Sequence, residues 1–203
     1  MLLNDEYKTL KKPSEEVVFK DRGSKFIGYA FPVSSEEEAT SFISKLKETH
    51  HKARHWCYAW RIGIEKENYR ANDDGEPNNS AGQPIYGQIL SFDLTNVLIV
   101  VVRYFGGVKL GVGGLIQAYK TSAKLALEKS TIEKRTIDAH FSLNFEYADM
   151  NKVMRLIKEK NIQIIRQDMQ LSCQMEVSVR KSESEKIKKA FDDLRCVYIK
   201  LFN

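Results

Sequence analysis

Residues 97–115 constrain the fold of this chain more than any other stretch: Val97-Leu98-Ile99-Val100-Val101-Val102-Arg103-Tyr104-Phe105-Gly106-Gly107-Val108-Lys109-Leu110-Gly111-Val112-Gly113-Gly114-Leu115. The eight residues up to Tyr104 are dominated by β-branched side chains and read as a buried strand. Five glycines follow at Gly106, Gly107, Gly111, Gly113 and Gly114, so the next segment is built from backbone more than from side chains. Leu115, Ala118, Tyr119, Ser122, Ala123, Ala126 and Leu127 then recur at helical spacing, which predicts a helix beginning at Leu115. A strand, a bare loop and a helix start gather free amides in one place, an arrangement that suits phosphate.

At 203 residues the chain is long enough for one large or two small domains. Its longest apolar run is interrupted by Arg103, far short of the roughly 20 residues a membrane span requires. Met1-Leu2-Leu3-Asn4-Asp5-Glu6 lacks the basic-then-apolar pattern of a secretory signal, so a cytoplasmic protein with no membrane partner is expected. Cys57, Cys173 and Cys196 are odd in number and widely spaced, which predicts reduced core thiols rather than disulfides or a metal site. The net charge of +5 favours anionic partners. That excess is spread out, with 12 basic against 10 acidic residues from Thr136 onward, so a basic surface would have to be assembled by folding.

No glycine occurs after Gly114, and the polar stretch from Glu128 to Arg135 is the natural junction between residues 1–133 and 134–203. In the first part, Val17–Phe19 and Ser24–Phe31 read as strands around the turn Asp21-Arg22-Gly23. Ser35 and Glu38 form a capping box for a helix reaching about His50. Trp56, Tyr58, Trp60 and Ile62 alternate with His55, Cys57, Ala59 and Arg61, giving a strand with an aromatic face. A long loop from Tyr69 to Gln83 then leads to a short helix over 84–92. In the second part, the periodicities read βαββαβ, with a second capping box at Ser182 and Glu185. One strand there turns Ser172, Gln174, Glu176 and Ser178 outward. That order is the ferredoxin-like arrangement, which hosts many unrelated functions.

The glycine loop matches neither standard nucleotide motif. Val112 and Gly113 stand where a P-loop needs Lys and Ser or Thr, and Ile116 replaces the last glycine of the dinucleotide fingerprint. Lys109 and Arg103 remain beside its amides as partners for a phosphate of RNA or of a nucleotide; a tight crossover packing helix on strand would need the same glycines. The second feature is Asn72-Asp73-Asp74-Gly75-Glu76-Pro77-Asn78-Asn79-Ser80-Ala81-Gly82-Gln83-Pro84-Ile85. It lacks the alternating ligands of a calcium loop, so Asp74 or Glu76 is expected to cap amides or pair with a base, fixing this loop against the glycine loop. The third is Arg54-His55-Trp56-Cys57, where His55 and Cys57 share a strand face. A thiolate–imidazole pair is one reading, and a histidine hydrogen-bonded to the acidic loop is the other.

Lys25-Phe26-Ile27, Ala53-Arg54-His55 with Cys57 and Ala59, Asp73-Asp74-Gly75-Glu76-Pro77, Ala81-Gly82-Gln83-Pro84-Ile85, and Val102 through Gly107, then Leu110 to Leu115 with Ala118-Tyr119, together resemble the YigZ/IMPACT family across nearly the whole chain. Departures are small: Ser80 stands where threonine is commoner, and Gln117 where a basic residue is frequent. The resemblance implies an α+β protein. Its N-terminal α/β sandwich would be like the second domain of ribosomal protein S-five, with a left-handed βαβ crossover, and a ferredoxin-like domain like domain V of elongation factor G would follow. It also implies no established enzymatic activity, and it links the chain to translation control, which eukaryotic relatives exert through a further domain.

The expectation is therefore a non-enzymatic RNA- or ribosome-binding regulator of translation, without cofactor or metal. Arg54, Arg103 and Lys109 would contact phosphate, Tyr104 or Phe105 would stack on a base, and Gly106, Gly107, Gly111, Gly113 and Gly114 would admit the backbone. His55, Asp73, Asp74, Gly75, Glu76, Pro77, Ser80 and Gly82 would support that surface. One alternative is a phosphate-ligand enzyme in which the acidic loop holds magnesium or supplies a base, with His55 nearby. Another is a protein-interaction module docking a partner in translation control on the outward face of the second domain.

Overall fold

The computed structural model describes residues 5–64 and 68–202. In chain order its elements are β1 (Glu6–Leu10), β2 (Val17–Asp21), β3 (Ser24–Pro32), α1 (Glu36–Thr49), β4 (His55–Ile62), β5 (Asn68–Asn72), α2 (Gly82–Ser91), β6 (Val97–Tyr104) and α3 (Gly111–Glu128). They continue with β7 (Ile132–Thr136), β8 (Asp138–Glu146), α4 (Met150–Glu159), β9 (Gln163–Met169), β10 (Ser172–Arg180), α5 (Ser184–Asp192) and β11 (Val197–Phe202). The architecture is mixed α and β, and the contacts divide it into two units. One is Tyr7–Lys134; the other runs from Arg135 onward and takes in Asp5 and Glu6.

The first unit is built on an antiparallel sheet in the order β2-β3-β6-β4-β5. β6 lies in the middle, and its residues from Val97 to Arg103 are all buried, which explains an apolar run without alternation. Odd positions of β6 (Val97, Ile99, Val101) pack with Cys57, Ala59 and the buried faces of α2 and α3. Even positions (Leu98, Val100, Val102) pack with Trp60 and with Ala39, Ile43 and Leu46 of α1. The helices thus cover both faces of the sheet. Ser35 caps α1 as its spacing predicts, its hydroxyl accepting from the Glu38 amide at 3.2 Å, while Glu38 reaches back to the Ser34 amide at 2.8 Å.

α3 begins at Gly111 rather than Leu115. Its first turn is exposed from Gly111 to Gly113, so it carries no apolar period by which to be read. Three of the five glycines therefore belong to the helix, and the loop proper is Phe105–Leu110. β5 occupies the start of the segment expected to be loop, beginning one residue before it at Asn68. It is an edge strand paired only to β4, with three of its five residues exposed and no apolar alternation.

The second unit is an antiparallel sheet in the order β11-β8-β10-β9. Val153 and Ile157 of α4 and Ile187 and Phe191 of α5 pack with Phe141, Leu143, Cys173, Met175 and Val177. The elements from β8 to β11 run βαββαβ. On the outward face of β10, Ser172 and Gln174 are exposed but Ser178 is buried. The second capping box does not form: α5 starts at Ser184 without a side-chain cap, because the Ser182 hydroxyl donates to the Asp5 carboxylate.

Candidate functional site

The acidic loop is wired into the protein. The Asp73 carboxylate accepts amides from Asn79 at 2.8 Å, Ala81 at 2.9 Å and Gly82 at 2.8 Å, closing the loop onto the start of α2. Asp74 accepts the Trp56 amide at 2.7 Å and faces Lys47 at 3.5 Å. Its carbonyl accepts from His55 Nδ1 at 2.9 Å, which makes Nδ1 the protonated nitrogen. Gly75 follows against the His55 ring. The buried Ser80 hydroxyl donates to the Pro77 carbonyl at 2.6 Å.

Glu76 is the centre of this wiring. Its buried carboxylate accepts from Arg103 Nη1 at 2.6 Å and from the Tyr119 hydroxyl at 2.8 Å, with His55 Nε2 at 4.0 Å. Arg103 is itself buried and lies between the Phe26 and Phe105 rings, 5.4 and 5.5 Å from their centroids. Its Nη2 reaches Ser24 Oγ at 3.4 Å, and its Nε is buried without a hydrogen-bond partner. Arg103 therefore faces inward, with the parity of Ile99 and Val101, and is not presented to a surface phosphate. Cys57, on the same sheet face, donates to the Asp73 carbonyl at 3.0 Å. Burial pushes its thiol well above the ordinary range, which opposes the thiolate a Cys–His pair would need. Burial likewise keeps Tyr119 protonated as a donor to Glu76.

The glycine loop is the opposite case. Phe105 and Val108 are 51% and 52% exposed, and Gly106, Gly107 and Lys109 are exposed with them. Gly106 has no room for a side chain, because a Cβ there would lie 1.9 Å from the Gly23 carbonyl carbon. Its amide donates to Ser24 Oγ at 3.2 Å, which anchors the loop to the β2–β3 turn. Gly107, at φ +88°, faces open space, as do Gly111 and Gly113, whereas a Cβ on Gly114 would press on Leu110 at 3.0 Å. The exposed Arg54 is held at this strand end by its amide, which donates to the Arg103 carbonyl at 3.3 Å.

Tyr104 points to the other face of the sheet. Its hydroxyl lies 3.0 Å from His50 Nδ1, His50 Nε2 lies 2.7 Å from the Tyr29 hydroxyl, and Tyr29 donates to Glu16 at 2.7 Å. Because Tyr29 spends its proton on Glu16, it accepts from His50 Nε2–H, and Tyr104 then donates to Nδ1. Of the two aromatics expected to stack on a base, Phe105 is the open one and Tyr104 is tethered. Sequence reading did not assign roles to Tyr119 and Ser24. In the sequence, Tyr119 has only its place on the helix face and in the Ala118-Tyr119 motif, and Ser24 only its place at a strand start.

Among the described residues no three His, Cys, Asp or Glu side chains converge as a cation site requires, and no helix is long and apolar enough to cross a membrane.

Fold and wiring together define a two-unit α+β protein whose central strand ends in a buried ion pair beneath an open glycine loop. The family model of the Impact N-terminal domain matches residues 22–127. IMPACT family member YvyE of Bacillus subtilis is 37% identical over 153 residues, covering 75% of this chain and 70% of that protein. IMPACT family member YigZ of Escherichia coli is 33% identical over 156 residues, 76% of each chain. A crystal structure described as a hypothetical protein superposes with a TM-score of 0.70 at 28% identity, covering 98% of both chains. The chain belongs to the IMPACT family.

Proposed function

We propose that this protein is a non-enzymatic, cytoplasmic regulator of translation that binds RNA or the ribosome through the glycine loop and the residues around it. Arg54 and Lys109 contact phosphate, Phe105 stacks on a base, and the bare backbone of Gly106 and Gly107 lets the strand approach. Arg103 and Tyr104 hold this surface from beneath. The reading takes residues 1–133 as an S-five-type domain and residues 134–203 as a ferredoxin-like domain of the elongation factor G type, the pairing implied by the family resemblance.

The observation that carries it is the disposal of the three carboxylates. Asp73 is spent on amides, Asp74 on an amide and Lys47, and Glu76 on Arg103 and Tyr119. Each is held by partners within the protein, so none is free to hold a cation over the loop, as a magnesium-dependent enzyme would need. Arg54 and Lys109, both exposed at this loop, are positive. The test is sedimentation with purified ribosomes and with a structured RNA across a salt series. Affinity in the micromolar range that falls steeply with salt, and falls further in an Arg54→Ala/Lys109→Ala variant, is the expected result. Absence of binding to either at low salt would sink the reading.

A further inference from the structure

Asp21 pairs with Ser24 across the β2–β3 hairpin, leaving Arg22 and Gly23 as a two-residue turn. Both have positive φ, +44° and +80°. This is the type I′ geometry demanded by strand twist, and Asn-Gly or Gly-Gly fills it without strain. Arginine is a poor occupant, since its Cβ crowds the backbone at positive φ. Nothing inside the protein calls for it: Arg22 is exposed and makes no side-chain hydrogen bond or ion pair among the described residues. Strain retained for a side chain without an internal partner points to a ligand.

The turn also stands against the glycine loop. Gly23 touches Gly106 so closely that neither can carry a side chain unless the backbone moves, since a Cβ on Gly23 would lie 2.9 Å from the Gly106 carbonyl oxygen. This contact brings Arg22 beside the loop, where it joins Arg54 and Lys109 as an exposed cation. The half-exposed Phe105 ring is backed by the buried Arg103 guanidinium, which leaves the open side for a planar ligand. A duplex hides its base faces, whereas an unpaired strand offers base faces and phosphates together.

We propose that Arg22 is a phosphate-binding residue of this surface and that the ligand is an unpaired RNA strand, with a base on Phe105 and neighbouring phosphates on Arg22 and Lys109. This rests on the RNA-binding reading above.

The test is fluorescence anisotropy with the full chain, a labelled oligouridine of about 15 nucleotides, and an RNA duplex of the same length. The strand should bind more tightly than the duplex. Arg22→Asn should weaken strand binding about tenfold and flatten the salt slope by about 0.7, the share of one phosphate contact on a single strand. Its Tm should equal or exceed that of the parent, because asparagine suits the turn. Arg22→Lys should keep most of the slope, and Phe105→Leu should narrow the preference for strand over duplex. Unchanged affinity in Arg22→Asn, or a lowered Tm, would overturn the assignment of Arg22. Equal binding of duplex and strand would overturn the unpaired ligand. Binding to ribosomes but to neither oligonucleotide would overturn this inference and leave the broader reading standing, whereas no binding to any of the three would overturn both.

Discussion

The acidic loop and the glycine loop meet at the same end of β6, yet they are opposites. In the first, Asp73, Asp74 and Glu76 are all engaged by neighbours within the protein. In the second, Phe105, Val108 and Lys109 stand out from a backbone fastened mainly through Gly106. The loop richest in reactive groups is thus a brace, and the loop poorest in them is the surface left to bind. In the acidic loop folding pairs the buried charge of Glu76 within the protein, where it braces the strand end.

Four experiments would break or sharpen that contrast. The largest effect is expected from Glu76→Gln, which leaves the buried Arg103 guanidinium without its counter-charge and should cost about 3–5 kcal/mol in urea unfolding. A cost under about 1 kcal/mol would mean that the acidic loop is not a brace. Gly107→Ala comes next. At φ +88° a Cβ is strained although the space is open, so a loss of about 1–2 kcal/mol is expected, with the fold retained by circular dichroism. Phe105→Ser should change stability by less than about 0.5 kcal/mol, since the ring is half exposed, while ribosome binding falls. A large stability loss there would make the glycine loop a brace as well.

The smallest effect concerns Tyr104, the residue just before the glycine loop. Burial holds its partner His50 below the ordinary histidine value of 6.5. The unfolded chain therefore binds the proton more readily, so this contribution to stability is fully present above about pH 6.5 and is lost as pH falls through the lower folded value. Urea midpoints measured at intervals from pH 7.5 to 5 should decline in the parent and decline less in His50→Gln. Equal declines would remove His50 from the account.

Much of this was legible in the sequence because it is periodic. The buried run of β6, the aromatic face of β4 and the α1 capping box all follow from local spacing, as does the βαββαβ order of the second unit. Family membership was equally legible, since it rests on the joint occurrence of short motifs. Arg103 was harder. Its parity with Ile99 and Val101 pointed inward, but only the arrival of Glu76 from 27 residues upstream makes an inward arginine tolerable. The start of α3 was hidden because an exposed first turn of glycines carries no hydrophobic signal. The failed cap at Ser182 has the same kind of cause: the competing acceptor, Asp5, is 177 residues away.

That pairing of Asp5 with the second unit bears on synthesis. Asp5 leaves the ribosome well before its partners, because Arg180 and Ser182 are translated about 175 residues later, on the order of 10–30 s at ordinary elongation rates. Throughout that interval residues 7–134 can complete their own sheet while Asp5 waits for its partners. Maturation of the second unit thereby waits on the synthesis of Arg180 and Ser182.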